Sequence, residues 1–174
     1  MKKILILSLL FVALLFTGCF NKNCVTCDYS SSDLTGMIDG IYESIGSENM
    51  PMVATIESDI TDLDALNYNT GLSSNENIEY VVVSEPMMSS QAYSFVLVKV
   101  KDLSSVESVK EEIFNNINTR KWVCVEAEML YVNNYDTVIS IIMTNEELGN
   151  KLKSEFESLA GSNLGTEKIR NIEI

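Results

Sequence analysis

Histidine is absent from the 174 residues of this chain. Histidine is the usual general base at neutral pH, so its absence excludes Ser-His-Asp and Cys-His catalytic arrangements. It also removes the imidazole ligands that most zinc, copper and iron sites use. Glycine-rich phosphate loops, nucleophile elbows and dinucleotide fingerprints are missing as well. Together these absences favour a protein that is not an enzyme, and we expect no cofactor or metal.

Basic residues are few: 12 Lys and Arg stand against 25 Asp and Glu, which gives a formal net charge of −13. An anionic chain is repelled by nucleic acid phosphates and by anionic lipid headgroups. We therefore expect no nucleic-acid partner. The hydrophobic fraction of 46% is typical of a folded globular protein, and the length suits a single domain.

The apolar run near the start is too short to cross a membrane. It extends from Ile4 to Phe16, is broken only by Ser8, and with the next two residues would reach about 22 Å as a helix. Two lysines precede it and small residues follow it, which is the plan of a secretory signal. We therefore predict that residues 1–18 are a signal peptide.

The segment Leu15–Cys19 resembles the lipobox of bacterial lipoproteins, with Phe16 standing where the lipobox favours leucine. In a lipobox the cysteine thiol receives a diacylglyceryl group, commonly carrying palmitate. The resemblance implies that Cys19 is lipidated and that two acyl chains anchor the chain to the outer side of the bacterial cytoplasmic membrane. The alternative is an ordinary secretory signal followed by an unrelated cysteine.

The remaining chain is predicted to comprise three parts. Residues 19–32 are polar, include three consecutive serines and lack apolar periodicity, which is typical of a tether. Residues 33–160 carry helix and strand patterns and are predicted to form one domain. Residues 161–174 are predicted to be a tail that adds an edge strand or stays loose.

The domain begins with a predicted helix. Its apolar stripe starts at Leu34, Ser32 or Asp33 is available as its cap, and Gly46 ends it. Residues 57–71 are interpreted as a second, short helix.

Two strand–strand–helix units follow. Their strands are predicted at 78–84, 93–101, 122–132 and 137–143, and their helices start at Ser104 and Asn145. The pattern predicts an α+β fold, a mostly antiparallel sheet with the helices packed on one face.

The order of these features is similar to a family of uncharacterised, mainly clostridial lipoproteins, known only as a domain of unknown function (family 4358). The shared features are the lipobox, the tether, a Val-x-x-Val-Lys-x-x-Ile helix that includes Val106 and ends in Arg120, and a hairpin on each side of that helix. The similarity covers roughly Leu34 to Leu159, and the stretch after Arg120 is shorter than in the family. The resemblance implies localisation and fold, and no mechanism.

Three cysteines remain after Cys19. Cys24 and Cys27 form a C-x-x-C in the tether, which could be a redox dithiol, a small disulfide or two free thiols. Redox motifs depend on a helix N-terminus within a strand–helix unit, and nothing strand-like precedes this one. Cys124, among Trp122, Val123 and other apolar residues, is expected to be a small buried hydrophobic residue.

Two groups of carboxylates are candidates for a catalytic or calcium-binding site. Glu126 and Glu128 are expected on one face of a strand, where paired carboxylates can hydrolyse glycosides or bind calcium, although a solvated strand face is the commoner role. The acidic run 57–64 lacks the spacing of a calcium loop and is interpreted as helix capping.

Met87 and Met88, in the first predicted hairpin loop, are the candidate contacts for a partner, unless they fold back over the sheet edge.

Two functions follow from the sequence. The favoured one is a non-catalytic, membrane-anchored module that binds an envelope protein, a peptide or a small ligand. The alternative is a cell-envelope enzyme that uses carboxylates or the tether dithiol.

Overall fold

A computed structural model describes residues 28–88 and 90–172. The predicted signal peptide, Cys19, Cys24 and Cys27 lie outside these residues. The described chain contains four α-helices: α1 (Ser31–Ile45), α2 (Leu63–Thr70), α3 (Val106–Asn116) and α4 (Glu146–Ala160). It also contains six strands: β1 (Val53–Glu57), β2 (Ile78–Pro86), β3 (Ser94–Val100), β4 (Met129–Tyr135), β5 (Val138–Thr144) and β6 (Lys168–Asn171).

The six strands form one antiparallel sheet in the order β1-β2-β3-β5-β4-β6. The predicted α+β class and antiparallel sheet are therefore confirmed. The two hairpins, β2–β3 and β4–β5, meet along β3 and β5 at the centre of the sheet. The tail contributes β6, which pairs with β4 and forms one edge, while β1 forms the other edge.

The helices cover both faces of this sheet, so the predicted packing on one face is wrong. Side chains of α1 and α4 pack against Phe95 and Leu97, whereas side chains of α2 and α3 pack against Val96 and Val98. Successive strand residues point to opposite faces, so each face of β3 needs its own cover. The sequence of β3 is apolar at both parities, which is the pattern of a strand buried on both sides.

The N-terminal helix starts earlier than predicted. Ser30, and neither Ser32 nor Asp33, caps α1, and its hydroxyl accepts a hydrogen bond from the Asp33 backbone N–H while the Asp33 carboxylate accepts one from the Ser30 N–H. This reciprocal arrangement is a capping box. The predicted boundary between tether and domain therefore moves from residue 32 to residue 30. Gly46 ends the helix, as predicted.

The helix predicted over residues 57–71 is shorter in the structure, and a strand that was not predicted precedes it. Residues 53–57 form β1, and α2 begins only after Asp62, whose carboxylate accepts hydrogen bonds from the N–H groups of Asp64 and Ala65. Gly71 ends α2 with φ of 79°, and a Cβ at this position would lie 2.5 Å from the Ile117 backbone nitrogen. Glycine is therefore required there for both its conformation and its size.

The chain between α3 and β4 differs most from the prediction. Strand β4 starts at Met129, and the preceding segment is a loop in which Cys124 adopts a positive φ of 61°. Cys124 is exposed, so its predicted burial is wrong. Helix α3 follows a short 3-10 turn, so it begins at Val106 and not at Ser104 as predicted, and it ends at Asn116, before Arg120.

A fully buried ammonium joins the tail to the rest of the domain. The Nζ atom of Lys110, on α3, donates to Glu107 Oε1 at 2.6 Å, to Asn134 Oδ1 at 2.8 Å and to the Thr166 carbonyl at 2.7 Å. Gly165 lies against the same Asn134 side chain, and a Cβ there would be only 1.9 Å from Asn134 Oδ1. The three donors of the ammonium are thus all used, and two of them hold the sheet and the tail together.

We expect Lys110→Met to destabilise the domain by about 2–3 kcal/mol, because it leaves buried acceptors on Asn134 and Thr166 without a donor. Urea unfolding followed by circular dichroism measures the change. The matched control is Lys151→Met, which removes an exposed pair with Glu147 on α4 and should leave the free energy of unfolding close to that of the wild type. Equal effects of the two substitutions would contradict a structural role for the buried ammonium.

Candidate interaction surface

Strand β1 leaves one side of its backbone unpaired within the described residues. The Met87 N–H donates to the Met52 carbonyl and the Ser58 N–H donates to the Val81 carbonyl. In an antiparallel ladder this pattern alternates, so the even-numbered residues of β1 bond to β2. The N–H and C=O groups of Val53, Thr55 and Glu57 therefore point away from the sheet.

Apolar side chains surround this free edge. Met52 is 76% exposed, Ile56 62%, Met87 70% and Met88 64%. Ile56 and Met52 lie on the face covered by α2, since Ile56 pairs with Val83 of that core. We call these four side chains, with the outward backbone of Val53, Thr55 and Glu57, the β1 edge surface. The predicted contact residues Met87 and Met88 belong to it and do not fold back over the sheet.

The opposite edge of the sheet has a different chemistry. Strand β6 carries Lys168 and Arg170, both of which contact Phe114 of α3. Ile169 lies between them and is 50% exposed. Lysine and arginine on an edge strand oppose pairing with another chain, and β1 carries neither, its one charged residue being Glu57. Of the two edges, β1 is the one open to strand addition.

A buried ion pair supports the β1 edge surface on the α2 face. The Lys121 ammonium pairs with Glu85, which lies opposite Ala54 in the ladder, and lies 4.9 Å from the centroid of the Tyr68 ring. Burial lowers the pKa of Lys121, and the neighbouring Glu85 opposes that effect. The pair fixes the loop that follows α3 against β2.

A cluster of hydroxyl groups supports the other face of the edge. The Tyr42 hydroxyl, from α1, donates to Ser84 Oγ at 2.7 Å and lies 2.7 Å from the Tyr93 hydroxyl. Thr55, on β1, donates to the same Ser84 Oγ at 3.0 Å. Burial raises the pKa of Tyr42 to about 12 and raises that of Tyr93 well above its ordinary value. Neither hydroxyl is therefore ionised at neutral pH, and the cluster positions β1 on α1.

Two clefts flank the sheet. One, of about 610 Å³, lies beside the C-terminal end of α1 and is lined by Asp39, Tyr42, Glu43, Gly46 and Glu48. The other, of about 540 Å³, lies at the opposite end of the sheet. Its lining residues are Asp28, Glu79, Lys99, Lys101, Asp102, Leu103 and Thr137. The first cleft is lined by carboxylates without a cation, and the second carries both charges, with Lys99 paired to Glu79 at 3.2 Å.

The carboxylates considered as a catalytic or calcium site do not share a strand face. Glu126 pairs with Arg120 in the loop before β4, while the Glu128 carboxylate accepts a hydrogen bond from the Glu146 N–H at the start of α4. Across residues 28–88 and 90–172, no group of three or more Cys, Asp or Glu side chains could hold a metal ion. Both carboxylates have structural partners.

The acidic run 57–64 has the capping role expected of it in part. Asp62 caps α2, and Asp59 accepts hydrogen bonds from the Thr61 backbone and hydroxyl. Its first residue, Glu57, belongs instead to β1. The sequence had no signal that separated this strand from the helix that follows.

No family model, curated protein or solved structure matches the chain. The part of the chain with described coordinates also contains no helix that is long and apolar enough to cross a membrane.

The hydroxyl cluster should make the domain unstable at high pH. The unfolded chain releases the Tyr42 proton near pH 10, and the folded protein holds it until about pH 12, so the unfolded state binds fewer protons in this range. Stability should therefore fall as pH rises from 10 to 12, by roughly 2 kcal/mol for this residue.

Thermal unfolding as a function of pH measures the effect. Tyr42→Phe should flatten the decline between pH 10 and 12, whereas Tyr80→Phe, outside the cluster, should keep it. A decline that Tyr42→Phe leaves unchanged would show that the hydroxyl is not held as described.

Proposed function

We propose that this chain is an extracytoplasmic bacterial lipoprotein, anchored through Cys19, whose domain is a non-catalytic module that binds a partner protein by strand addition to β1. The observation that carries the proposal is the β1 edge surface: a strand edge that no described residue pairs with, next to four exposed apolar side chains. An added strand would gain backbone hydrogen bonds from Val53, Thr55 and Glu57, while side-chain contacts would provide specificity.

The anchor is supported by the sequence alone, namely the short apolar run, the two lysines before it and the lipobox-like Leu15–Cys19. A diacylglyceryl group on Cys19 would supply two acyl chains, which is sufficient for stable membrane attachment.

The position of the first described residue supports access to the β1 edge surface. Asp28 lies in the cleft with Glu79, at the start of β2, whereas Met87 follows the end of the same strand. Eight residues of strand separate Glu79 from Met87, which corresponds to about 26 Å. Asp28, nine residues after Cys19, therefore lies at the end of the sheet that is distant from Met87.

An enzyme has less support. The buried lysines 99, 110 and 121 are paired with Glu79, Glu107 and Glu85, and the tyrosine hydroxyls near β1 are bonded to one another and to Ser84. Lys99 and Tyr42 line the two clefts beside carboxylates, but each of them already has a structural partner.

Strand addition is tested by placing a charge on the apolar part of the edge. We expect Ile56→Lys to reduce the amount of partner recovered by affinity capture from detergent-solubilised membranes by at least tenfold. The matched control is Ile169→Lys, at an exposed isoleucine on the opposite edge, which should recover as much partner as the wild type. A partner that Ile56→Lys retains in full would contradict binding at β1.

The anchor is tested by growth with labelled palmitate. Label should enter the wild-type chain and be lost in Cys19→Ala, because that thiol is the proposed acceptor. Cys24→Ala and Cys27→Ala change neighbouring thiols and should keep the label. Incorporation that persists in Cys19→Ala would show that this cysteine is not the lipidated residue.

A further inference from the structure

Positive charge is distributed very unevenly along the chain. No lysine or arginine occurs between Lys22 and Lys99, and residues 28–98 contain twelve carboxylates. These residues form α1, β1, α2 and β2 and continue into β3, so they make up the half of the sheet that ends at the β1 edge. The Lys121 ammonium reaches this half from the loop after α3, but its side chain is fully buried and paired with Glu85.

The two faces of the β1 edge differ in chemistry. On the α2 face, Met52 and Ile56 present exposed apolar side chains. On the α1 face, Glu57 is exposed, and Thr55 connects through Ser84 to Tyr42. Tyr42 in turn lines the cleft of about 610 Å³ whose carboxylates are Asp39, Glu43 and Glu48.

A strand added to β1 would present alternate side chains to these two faces. Residues of one parity would lie beside Met52 and Ile56, and residues of the other parity would lie beside Thr55 and Glu57, on the side of the acidic cleft. Long cationic side chains on the second set can pair with the cleft carboxylates, while apolar side chains on the first set cover the exposed methionine and isoleucine.

We propose that the occupant of the β1 edge surface is an extended basic segment of a partner protein, in which lysine or arginine alternates with apolar residues. The cationic side chains point toward the cleft of Asp39, Glu43 and Glu48, and the apolar ones toward Met52 and Ile56. This inference rests on the proposed function and adds to it the chemistry of the partner.

Charge also decides against two other occupants. In a dimer paired through β1, residues 28–98 of the two copies would lie close together. Each of these segments carries twelve carboxylates and no lysine or arginine, so the two copies would repel each other. A surface of anionic lipid would be repelled for the same reason. A cationic segment is attracted, and its association should be faster at low ionic strength.

The test uses the full-length protein in neutral detergent and three fluorescein-labelled octapeptides: four Lys-Val repeats, four Glu-Val repeats, and four lysines followed by four valines. Fluorescence anisotropy measures their dissociation constants. We expect the alternating Lys-Val peptide to bind at least tenfold more tightly than either of the others. Its affinity should fall at least tenfold when salt rises from about 50 to about 500 mM, because its charges are then screened.

Variants separate the contributions of the two faces. The triple variant Asp39→Asn, Glu43→Gln, Glu48→Gln should weaken binding of the Lys-Val peptide at least tenfold. The control triple variant Glu146→Gln, Glu147→Gln, Glu155→Gln changes the net charge equally on α4 and should stay within twofold of the wild type. Ile56→Lys should abolish binding of the Lys-Val peptide, because it places a charge on the apolar face of the edge.

Each contrary outcome has a defined meaning. If the Glu-Val peptide binds as tightly as the Lys-Val peptide, or the cleft variant binds like the wild type, the proposal of a basic partner is wrong. Strand addition to β1 is still supported in that case if Ile56→Lys abolishes binding. Equal losses in the two triple variants would assign the effect to net charge and overturn the role of the cleft. A basic segment is not the occupant if no peptide binds. The same holds if sedimentation shows a dimer that Ile56→Lys dissociates. In both cases the capture experiment alone decides whether a partner protein adds a strand to β1.

Discussion

The rest of the structure depends on the burial of β3 and β5 on both faces. Every residue of these two neighbouring strands is buried, whichever face its side chain points to. Because an amphipathic helix covers a face with one stripe only, two faces require separate sets of helices. Helices α1 and α4 cover one face, and α2 and α3 cover the other. The hairpin partners β2 and β4 then lie outside the central pair, and β1 and β6 become the edges.

Buried lysines hold the irregular parts of the chain on this framework. Lys121 attaches the loop before β4 to Glu85 of β2, and Lys110 attaches the segment before β6 to α3 and β4. Loops and tails form few backbone hydrogen bonds of their own. A buried ammonium whose donors are all used positions them through directional hydrogen bonds, which apolar contacts do not provide. A buried charge is costly without a partner, which makes alternative placements of these segments unfavourable.

Patterns that repeat within one element could be predicted from the sequence. The helix predicted to start at Asn145 is observed, with Asn145 as its cap, because helix periodicity and capping depend on residues close in the chain. The alternation of β3 also signalled its two faces: Phe95 and Leu97 are as apolar as Val96 and Val98. A sheet covered on one face, as predicted, would leave one of these two apolar sets exposed.

Features that depend on long-range pairing could not be predicted. The five residues of β1 carry no strong strand pattern and form a strand only because β2 offers its edge. Glu126 looked like one member of a carboxylate pair, and its contact with Arg120 depends on a loop whose path is set by Lys121. Met87 was recognisable as a candidate contact because a methionine pair in a loop is unusual. That it borders a free edge follows from the strand order, which the sequence did not show.

The two edges of the sheet are protected from unwanted strand pairing in different ways. An unpaired strand edge can pair with any extended chain, including another copy of the same protein. Strand β6 carries Lys168 and Arg170, and both cations are engaged by α3. Strand β1 has no such side chains, and the protection there comes from the surrounding carboxylates, which repel an identical chain at a distance. Repulsion of this kind does not act against a cationic strand, so the charge that keeps copies of the domain apart also selects which partner can reach the edge.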